Sequence, residues 1–437
     1  MNNAFPTLIL GAGPAAIQLA ADIKAAGNAR IGLYNRPSEK GRRLKQHLAH
    51  TPSLWLTGAG KAQRTQDDAQ VTIDRYCDDL ALVGGDWRRL ILAVPADQYH
   101  DVLQQVPWAA LPQLRSLILL SPSIGSGLMA QSLLQEAGQS HVEVISLSSY
   151  YADTKYQNAE QPYRAYTKAF KQRIYLAGAG AGARSDCAEL DWLCSLLARH
   201  GIDAQRCDSL LAAERFSITN YVHPPLALAE TTLQAIFQPQ APIQYLYKTH
   251  PEGPICPEAI ADMLALSQDY QQLLNRLGIE AINLLRFLND DNYPVPPRMV
   301  SRRWIDQFPQ LTPTEQCYAL FTRYTALLVD PYSEPDAQGR YYDFSAVRVA
   351  RVFQDAQGRW RLPRVPQEDV RKLRVLVLLA QRLDVEMPAA QRLLARFQQA
   401  LQRFVTRIGS EHCHRSLLDD TCDEQADIIY RQWRRQA

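Results

Sequence analysis

Three small residues near the start of the chain, Gly11, Gly13 and Ala16, have the spacing of a loop that binds nucleotide phosphates. In such a turn the first glycine permits the tight bend, the second lets the backbone approach the phosphates, and the alanine allows close packing of helix on strand. The helix that follows offers free N–H groups and a positive dipole end. We therefore predict that this turn, with Pro14 and Ala15, binds a dinucleotide.

The residues after the next apolar run indicate which dinucleotide binds. An NAD site usually has an acidic residue there to bind the ribose 2′-hydroxyl, whereas this chain has Asn35 and Arg36. Lys40, Arg42 and Arg43 add positive charge nearby. One guanidinium–phosphate contact of roughly 1.5–3 kcal/mol corresponds to about a ten- to hundredfold preference. Asn35, Arg36 and Lys40 therefore favour NADPH/NADP as the cofactor.

A second group of residues that could take part in chemistry is the Asn220-Tyr221-Val222-His223-Pro224 segment. On a helix or turn, the three-residue spacing places Asn220 and His223 on one face. Histidine can exchange a proton near neutral pH, and a nearby amide can orient its ring or a substrate. From the residues alone, a purely structural histidine remains the alternative.

Alternating apolar runs and helical patterns predict the fold that positions these groups. We expect an α/β protein in which an N-terminal Rossmann-type doubly wound sheet precedes a mostly α-helical C-terminal domain with a small β insertion. The predicted domains span 1–213 and 214–437. The predicted strands lie at 29–34, 71–73, 89–94, 116–120, 141–147 and 173–177. The predicted helices lie at 187–200, 226–237, 257–277, 314–329, 368–383 and 388–408.

Two loops and one hairpin complete this prediction. Pro95 follows the predicted strand 89–94, where the nicotinamide end of a dinucleotide lies in such folds, and the glycine-bearing loop 121–127 follows the next strand. The segment 343–364 is predicted to form a hairpin with its turn at 355–358.

Composition excludes several classes of protein. The net charge is only +2, with both signs interspersed, so no nucleic-acid partner is expected. No apolar stretch is long enough to span a bilayer. The eight cysteines lack a metal or disulfide spacing, and no metal site is expected at His412-Cys413-His414, where adjacent side chains cannot easily converge on one ion. We expect a cytoplasmic homodimer that acts on small molecules.

Four motifs together resemble one enzyme family. They are Gly11-Ala12-Gly13-Pro14, Asn35-Arg36-Pro37, the segment from Ser148 to Lys155, and Asn220-Tyr221-Val222-His223-Pro224. Their combination is similar to the opine dehydrogenases, and most closely to the opine metallophore synthase branch, whose members make staphylopine, pseudopaline and yersinopine.

The resemblance implies a reductive condensation that uses NADPH. An α-keto acid, either pyruvate or 2-oxoglutarate, would condense with the primary amine of a histidine–aminobutyrate intermediate, and hydride would reduce the resulting imine. His223 matches the catalytic histidine of the family. Asp330, in a segment similar to the region that carries the family's histidine-paired aspartate, is the expected partner of His223.

Such substrates carry several carboxylates, so cationic and hydroxyl groups should bind them. The residues expected to do so are Tyr150, Asp153, Lys155, Asn220 and Arg323.

Two other functions remain open at this point. The glycine turn also resembles the FAD-binding opening of flavin-dependent monooxygenases, although those sites normally have an acid where this chain has Arg36. A non-catalytic protein that senses NADPH would have the same fold, because function depends on the site and not on the scaffold.

Overall fold

A computed structural model describes residues 5–27, 29–59, 62, 68–180, 188–327, 347–417 and 421–436. By its internal contacts the chain divides into two compact units, Met1–Ser217 and Ile218–Ala437. The predicted division into two domains, 1–213 and 214–437, stays a prediction.

The first unit contains twelve strands in its described residues. They are β1 (Thr7–Leu10), β2 (Ile31–Tyr34), β3 (Ser53–Gly58), β4 (Ala69–Thr72), β5 (Arg75–Cys77), β6 (Arg89–Leu92), β7 (Ser116–Leu119), β8 (Glu143–Leu147), β9 (Ala152–Tyr156), β10 (Arg164–Phe170), β11 (Arg173–Ala179) and β12 (Asp203–Arg206). Its helices are α1 (Pro14–Gly27), α2 (Glu39–His50), α3 (Tyr99–Gln105), α4 (Ser126–Glu136), α5 (Ala188–Ala198) and α6 (Leu210–Glu214).

Eight of these strands form the main sheet, in the order β12-β11-β8-β7-β6-β1-β2-β5. Neighbours in this sheet are parallel except β11 and β8. All residues of β1, β2, β6 and β7 are buried, as expected where helices cover both faces of a parallel sheet. The predicted fold class, a Rossmann-type sheet followed by a helical region, is confirmed.

A second sheet, in the order β4-β3-β10-β9, was not predicted. The strand predicted at 71–73 exists as β4, but it pairs antiparallel with β3 and does not belong to the main sheet. Only Val71 of its four residues is buried, which is typical of a half-exposed antiparallel strand. Strands β9 and β10 pack against α1, the helix that follows the glycine turn.

The second unit is mainly helical in its described residues. Its helices are α7 (Ile218–Ala227), α8 (Glu230–Phe237), α9 (Pro257–Arg276), α10 (Leu284–Arg286), α11 (Arg302–Gln307), α12 (Pro313–Ala326), α13 (Arg364–Arg382), α14 (Pro388–Ile408) and α15 (Cys422–Gln436), with a π-helical turn at Phe287–Asn292. The long apolar-periodic segments were predicted well, and α14 has the predicted bounds. The segment predicted as one helix from 226 is divided between α7 and α8, and α15 was missed.

Part of the hairpin predicted at 343–364, residues 343–346, lies outside the described residues, and the described part pairs over two residues on each side. Two-residue strands, β13 (Phe353–Gln354) and β14 (Trp360–Arg361), flank the predicted turn, in which Asp355 accepts hydrogen bonds from the backbone of Gln357 and Arg359. None of the described helices has the length and hydropathy needed to cross a membrane.

Candidate active site

The backbone of the glycine turn has a conformation that requires glycine at its first position. Gly11 has a φ of +121°, and a Cβ atom there would lie 2.5 Å from the carbonyl oxygen of Ala93. The Gly11 N–H donates to the carbonyl of Tyr34 at 2.8 Å, so the turn is attached to the end of β2. Any side chain at residue 11 would separate β1 from β6.

The second glycine, Gly13, borders open space. A Cβ atom at Gly13 would meet no protein atom within 4 Å, so packing inside the protein does not demand glycine here. Pro14 begins α1, whose first turn carries no acidic residue, and Ala16 is fully buried against the sheet. An open cradle at a helix N-terminus without local negative charge fits the pyrophosphate of a dinucleotide.

Positive charge collects at the end of β2. Among the described residues, none of the hydrogen bonds or ion pairs joins Arg36 or Lys40 to a carboxylate. The pKa of Lys40 is lowered because its ammonium is partly desolvated and because Arg36 brings a second positive charge. Arg43, in contrast, pairs with Glu39 and Glu160. Two cations without a counter-anion fit a phosphate ester better than a ribose hydroxyl.

A cavity of about 530 Å³ also adjoins the end of β2. It is lined by Tyr34, Pro37, Asp78, Asp79, Leu80, Ala81 and Gln105. Its position beside Asn35 and Arg36 fits the adenosine part of a dinucleotide. Pro95 lies just after β6 and immediately before a single 3₁₀ turn, Ala96–Gln98.

The second unit places His223 between two polar side chains. Nδ1 of His223 is 3.2 Å from Oδ1 of Asp369, and Nε2 is 2.7 Å from the hydroxyl of Tyr247. The Asp369 side chain is fully buried, whereas the His223 side chain is 20% exposed. The Asp369 carboxylate accepts a hydrogen bond from Nδ1–H, which leaves Nε2 to exchange a proton with Tyr247 or with a substrate.

Helix α7 carries both predicted residues, Asn220 and His223, and has an unusual sequence. Pro224 and Pro225 lie inside it. Neither proline has an N–H, so the carbonyls of Asn220 and Tyr221 receive no helical hydrogen bond from these positions. The turn that holds His223 is therefore irregular, and its position depends on packing against α9 and α13.

Comparison with known proteins assigns the chain to a family. The family model described as staphylopine dehydrogenase matches residues 5–433. The chain belongs to the staphylopine dehydrogenase family. It is therefore an oxidoreductase of the opine dehydrogenase type, as the sequence predicted.

Individual relatives cover almost the whole chain. Yersinopine synthase of Yersinia pestis is 68% identical over 100% of both chains. Pseudopaline synthase of Pseudomonas aeruginosa is 44% identical over 98% of this chain and 96% of the relative. A solved structure of yersinopine dehydrogenase with NADP⁺ bound is 69% identical, covers 100% of both chains and superposes with a TM-score of 0.93.

In this family member, the acid that contacts His223 is one that sequence analysis missed. The predicted partner, Asp330, lies outside the described residues, and its role stays a prediction. Asp369 is 146 positions from His223 and lies near the start of α13. Its neighbours Arg364 and Glu368 look like an ordinary solvent-facing charge pair at helical spacing, so no local pattern distinguishes Asp369.

Behind Asp369 lies a buried group of charges. The Lys372 ammonium is 3.4 Å from Glu368 Oε1, 3.5 Å from Asp369 Oδ1 and 3.0 Å from the hydroxyl of Thr219. Burial alone would raise the pKa of Glu368, but Lys372 and Arg364 keep it below the usual range. Burial would lower the pKa of Lys372, but the two carboxylates raise it. The charged forms therefore stabilise each other around the histidine.

The glycine-bearing loop 121–127 does not offer an open anion site. The Glu214 carboxylate accepts hydrogen bonds from the N–H groups of Gly125 and Gly127, at 2.8 and 2.7 Å, and from the hydroxyl of Ser146 at 2.7 Å. Glu214 is fully buried, and burial raises its pKa to about 8, although these three donors act in the opposite direction. An internal acid thus occupies the N-terminus of α4.

Three of the residues predicted to bind substrate, Tyr150, Asp153 and Lys155, lie in or just before β9 of the first unit. The Tyr150 hydroxyl is 2.7 Å from that of Thr154, and burial raises the pKa of Tyr150 well above its ordinary value. On β9, the Lys155 ammonium is 3.7 Å from the carboxylate of Asp153. These contacts leave the substrate-binding roles of all three residues as predictions.

In the second unit, Asn220 and Arg323 are both almost completely buried. The Arg323 guanidinium donates to the carbonyls of Leu288 and Tyr293, at 2.6 and 3.1 Å, and so holds the end of the π-helical turn. This contact explains Arg323 as a structural residue, and its binding of substrate stays a prediction.

Proposed function

We propose that this protein is an NADPH-dependent opine metallophore synthase. It would condense an α-keto acid, pyruvate or 2-oxoglutarate, with the primary amine of a histidine–aminobutyrate intermediate and reduce the resulting imine. The product, with its carboxylates and nitrogen atoms, would chelate the metal ion. The observation that carries the proposal is the His223–Asp369 pair in a member of this family.

The chemistry requires proton transfers at one carbon atom. Attack of the amine on the keto acid gives a carbinolamine, which loses its hydroxyl as water and leaves a C=N bond. His223 would donate the proton from Nε2 to that departing hydroxyl. The Asp369 carboxylate, which accepts from Nδ1, would stabilise the resulting charge changes on the ring, and Tyr247 would orient Nε2.

The nucleotide assignment has support from both geometry and comparison. When bound, NADPH supplies the hydride that reduces the imine carbon. Gly11, Gly13, Pro14, Ala15 and Ala16 would hold the pyrophosphate. Asn35, Arg36 and Lys40 would bind the adenosine 2′-phosphate. The predicted cofactor agrees with the NADP⁺ in the solved yersinopine dehydrogenase.

Purified protein incubated with NADPH, the histidine–aminobutyrate intermediate and either keto acid tests the proposal. We expect oxidation of NADPH that requires both organic substrates, and a product whose mass equals amine plus keto acid, minus one oxygen atom. The mass distinguishes pyruvate from 2-oxoglutarate. Absence of product with both acids, while a simple amino acid and a keto acid do react, would assign the protein to another branch of opine dehydrogenases.

A further inference from the structure

Strand β9 contacts the nucleotide turn through a residue that no motif singled out. Side chains alternate between the two faces of a strand. Thr154 lies on the face toward α1, where its hydroxyl is 2.8 Å from that of Thr167. Tyr156, two residues later, is on the same face, and its hydroxyl donates to the carbonyl oxygen of Ala12 at 3.0 Å. The end of β9 is thus attached to the residue between the two glycines.

This hydrogen bond restricts the direction of a second group. The carbonyl of Ala12 and the N–H of Gly13 belong to one planar trans peptide, so they point in opposite directions. A donor that holds the carbonyl therefore also fixes the direction of the N–H at the start of the cradle. The Gly13 N–H is one of the groups that would bind the pyrophosphate, which NADH and NADPH have in common.

The ring of the same tyrosine contacts a cation. The Lys40 ammonium lies 5.0 Å from the centroid of the Tyr156 ring. An ammonium over an aromatic face is attracted by the ring quadrupole. Arg36 repels Lys40 and no described carboxylate pairs with either, so the ring offers Lys40 an attractive contact beside Arg36.

We infer that Tyr156 is a positioning residue for the nucleotide, with two separable actions. Its hydroxyl holds the glycine turn for the pyrophosphate, and its ring holds Lys40 for the 2′-phosphate. The inference rests on the proposed use of NADPH. It assigns β9 a role in nucleotide selection, in addition to the substrate-binding role predicted for Asp153 and Lys155.

Two substitutions separate the actions. Tyr156→Phe removes the hydroxyl and keeps the ring, and Tyr156→Leu removes both. Dissociation constants for NADPH and NADH are measured from the fluorescence of the reduced nicotinamide, and KM and kcat from turnover. Tyr156→Phe should weaken both nucleotides by the same factor, about two- to tenfold. Tyr156→Leu should weaken NADPH binding by about a further two- to fivefold, so the preference for NADPH over NADH decreases. The kcat at saturating NADPH should stay close to that of the wild type.

A similar pair of residues provides the control. On β10, the Lys168 ammonium lies 5.6 Å from the ring centroid of Tyr166. Tyr166→Phe and Tyr166→Leu should leave both dissociation constants unchanged. Equal effects of Tyr156→Leu on the two nucleotides, or no effect of Tyr156→Phe, would overturn the inference. A wild-type protein that shows no preference for NADPH would instead contradict the proposed cofactor.

The inference can be tested even if Tyr156→Leu does not fold. Lys40→Met is then measured in the wild type and in Tyr156→Phe. The losses in NADPH binding free energy caused by Lys40→Met and by Tyr156→Phe should add in the double variant, because the hydroxyl and the cation act on different phosphates. Lys40→Met should leave NADH binding unchanged in both backgrounds, and a loss of NADH affinity would contradict the separation.

Discussion

The glycine turn of the first unit and the histidine pair of the second unit differ in how their sequences encode them. Gly11, Gly13 and Arg36 lie within one strand–helix–strand segment, and their spacing alone determines how they are arranged. His223 and Asp369 come from helices 146 positions apart. Their contact depends on the packing of α7 against α13, which no local pattern records. The proposed nucleotide site can therefore be predicted from a short segment, whereas the proposed proton-transfer pair depends on tertiary structure.

The largest expected effect comes from removing the proton donor. His223→Ala should lower kcat by about 10²–10⁴-fold, because a positioned general acid contributes that much. The dissociation constant for NADPH, measured by fluorescence, should stay unchanged if the two regions have separate tasks. Wild-type kcat in this variant would exclude His223 as the acid, and lost nucleotide binding would show that the two regions are not separable.

The next effect distinguishes two candidate acids. Asp369→Asn should lower kcat by about 100-fold, because the neutral amide no longer stabilises a charged imidazole. Asp330→Asn is the matched variant, and its kcat should remain much closer to that of the wild type. Steady-state kinetics at saturating substrates makes the comparison. The opposite result, with Asp330→Asn the more damaging, would restore the partner predicted from sequence.

A smaller effect is expected in the nucleotide region. Arg36→Ala should raise the KM for NADPH by about ten- to hundredfold, since it removes one charge-assisted contact. The KM for NADH and the kcat should change little. Arg42→Ala serves as the control, because Arg42 is a nearby exposed arginine of α2 that is not assigned to the 2′-phosphate. A similar increase for both nucleotides would mean that Arg36 stabilises the fold and does not select the phosphate.

The last prediction concerns stability in place of turnover and lies outside both regions. Burial raises the pKa of Glu214 from its ordinary 4.5 to about 8, so the folded protein retains a proton that the unfolded chain releases. The stabilisation is complete below about pH 4.5 and is lost as the pH rises through about 8. Between these limits the free energy of unfolding decreases as the pH rises, because the unfolded chain has released the proton that the folded protein retains.

Urea unfolding at several pH values between these limits measures this dependence. As the pH rises, the free energy of unfolding of Glu214→Gln should decrease less steeply than that of the wild type. Identical slopes for the two proteins would contradict the raised pKa of Glu214.

Particular elements explain how far the sequence predicts the fold. Strands β1, β2, β6 and β7 are continuous apolar runs between turn residues, and such runs are easy to recognise. Strand β9 is mostly polar and β10 mixes polar and apolar residues, so neither is a recognisable apolar run. Their pairing is fixed by contact with α1, so the second sheet could not be derived.

The same reasoning applies to the candidate site. The nucleotide residues were predicted because phosphate binding uses backbone geometry, which restricts the sequence to glycine at Gly11. His223 was found through the resemblance, since its spacing from Asn220 alone also fits a structural histidine. The proposed roles of Asp369, Tyr247 and Tyr156 each depend on a single side chain. Acids and tyrosines occur at many other positions, so no pattern distinguishes these three.

The buried charges at the start of α13 have a consequence for how such a site can evolve. Lys372 pairs with Glu368 and Asp369 away from water, and Arg364 pairs with Glu368 as well. Loss of Lys372 or of one acid leaves an uncompensated buried charge, at about 3–5 kcal/mol for a buried ion pair. A lineage that changes one of them must pass through a poorly folded intermediate or change two together. These positions should therefore vary as a set among relatives, and a relative without the lysine should also lack one of the acids.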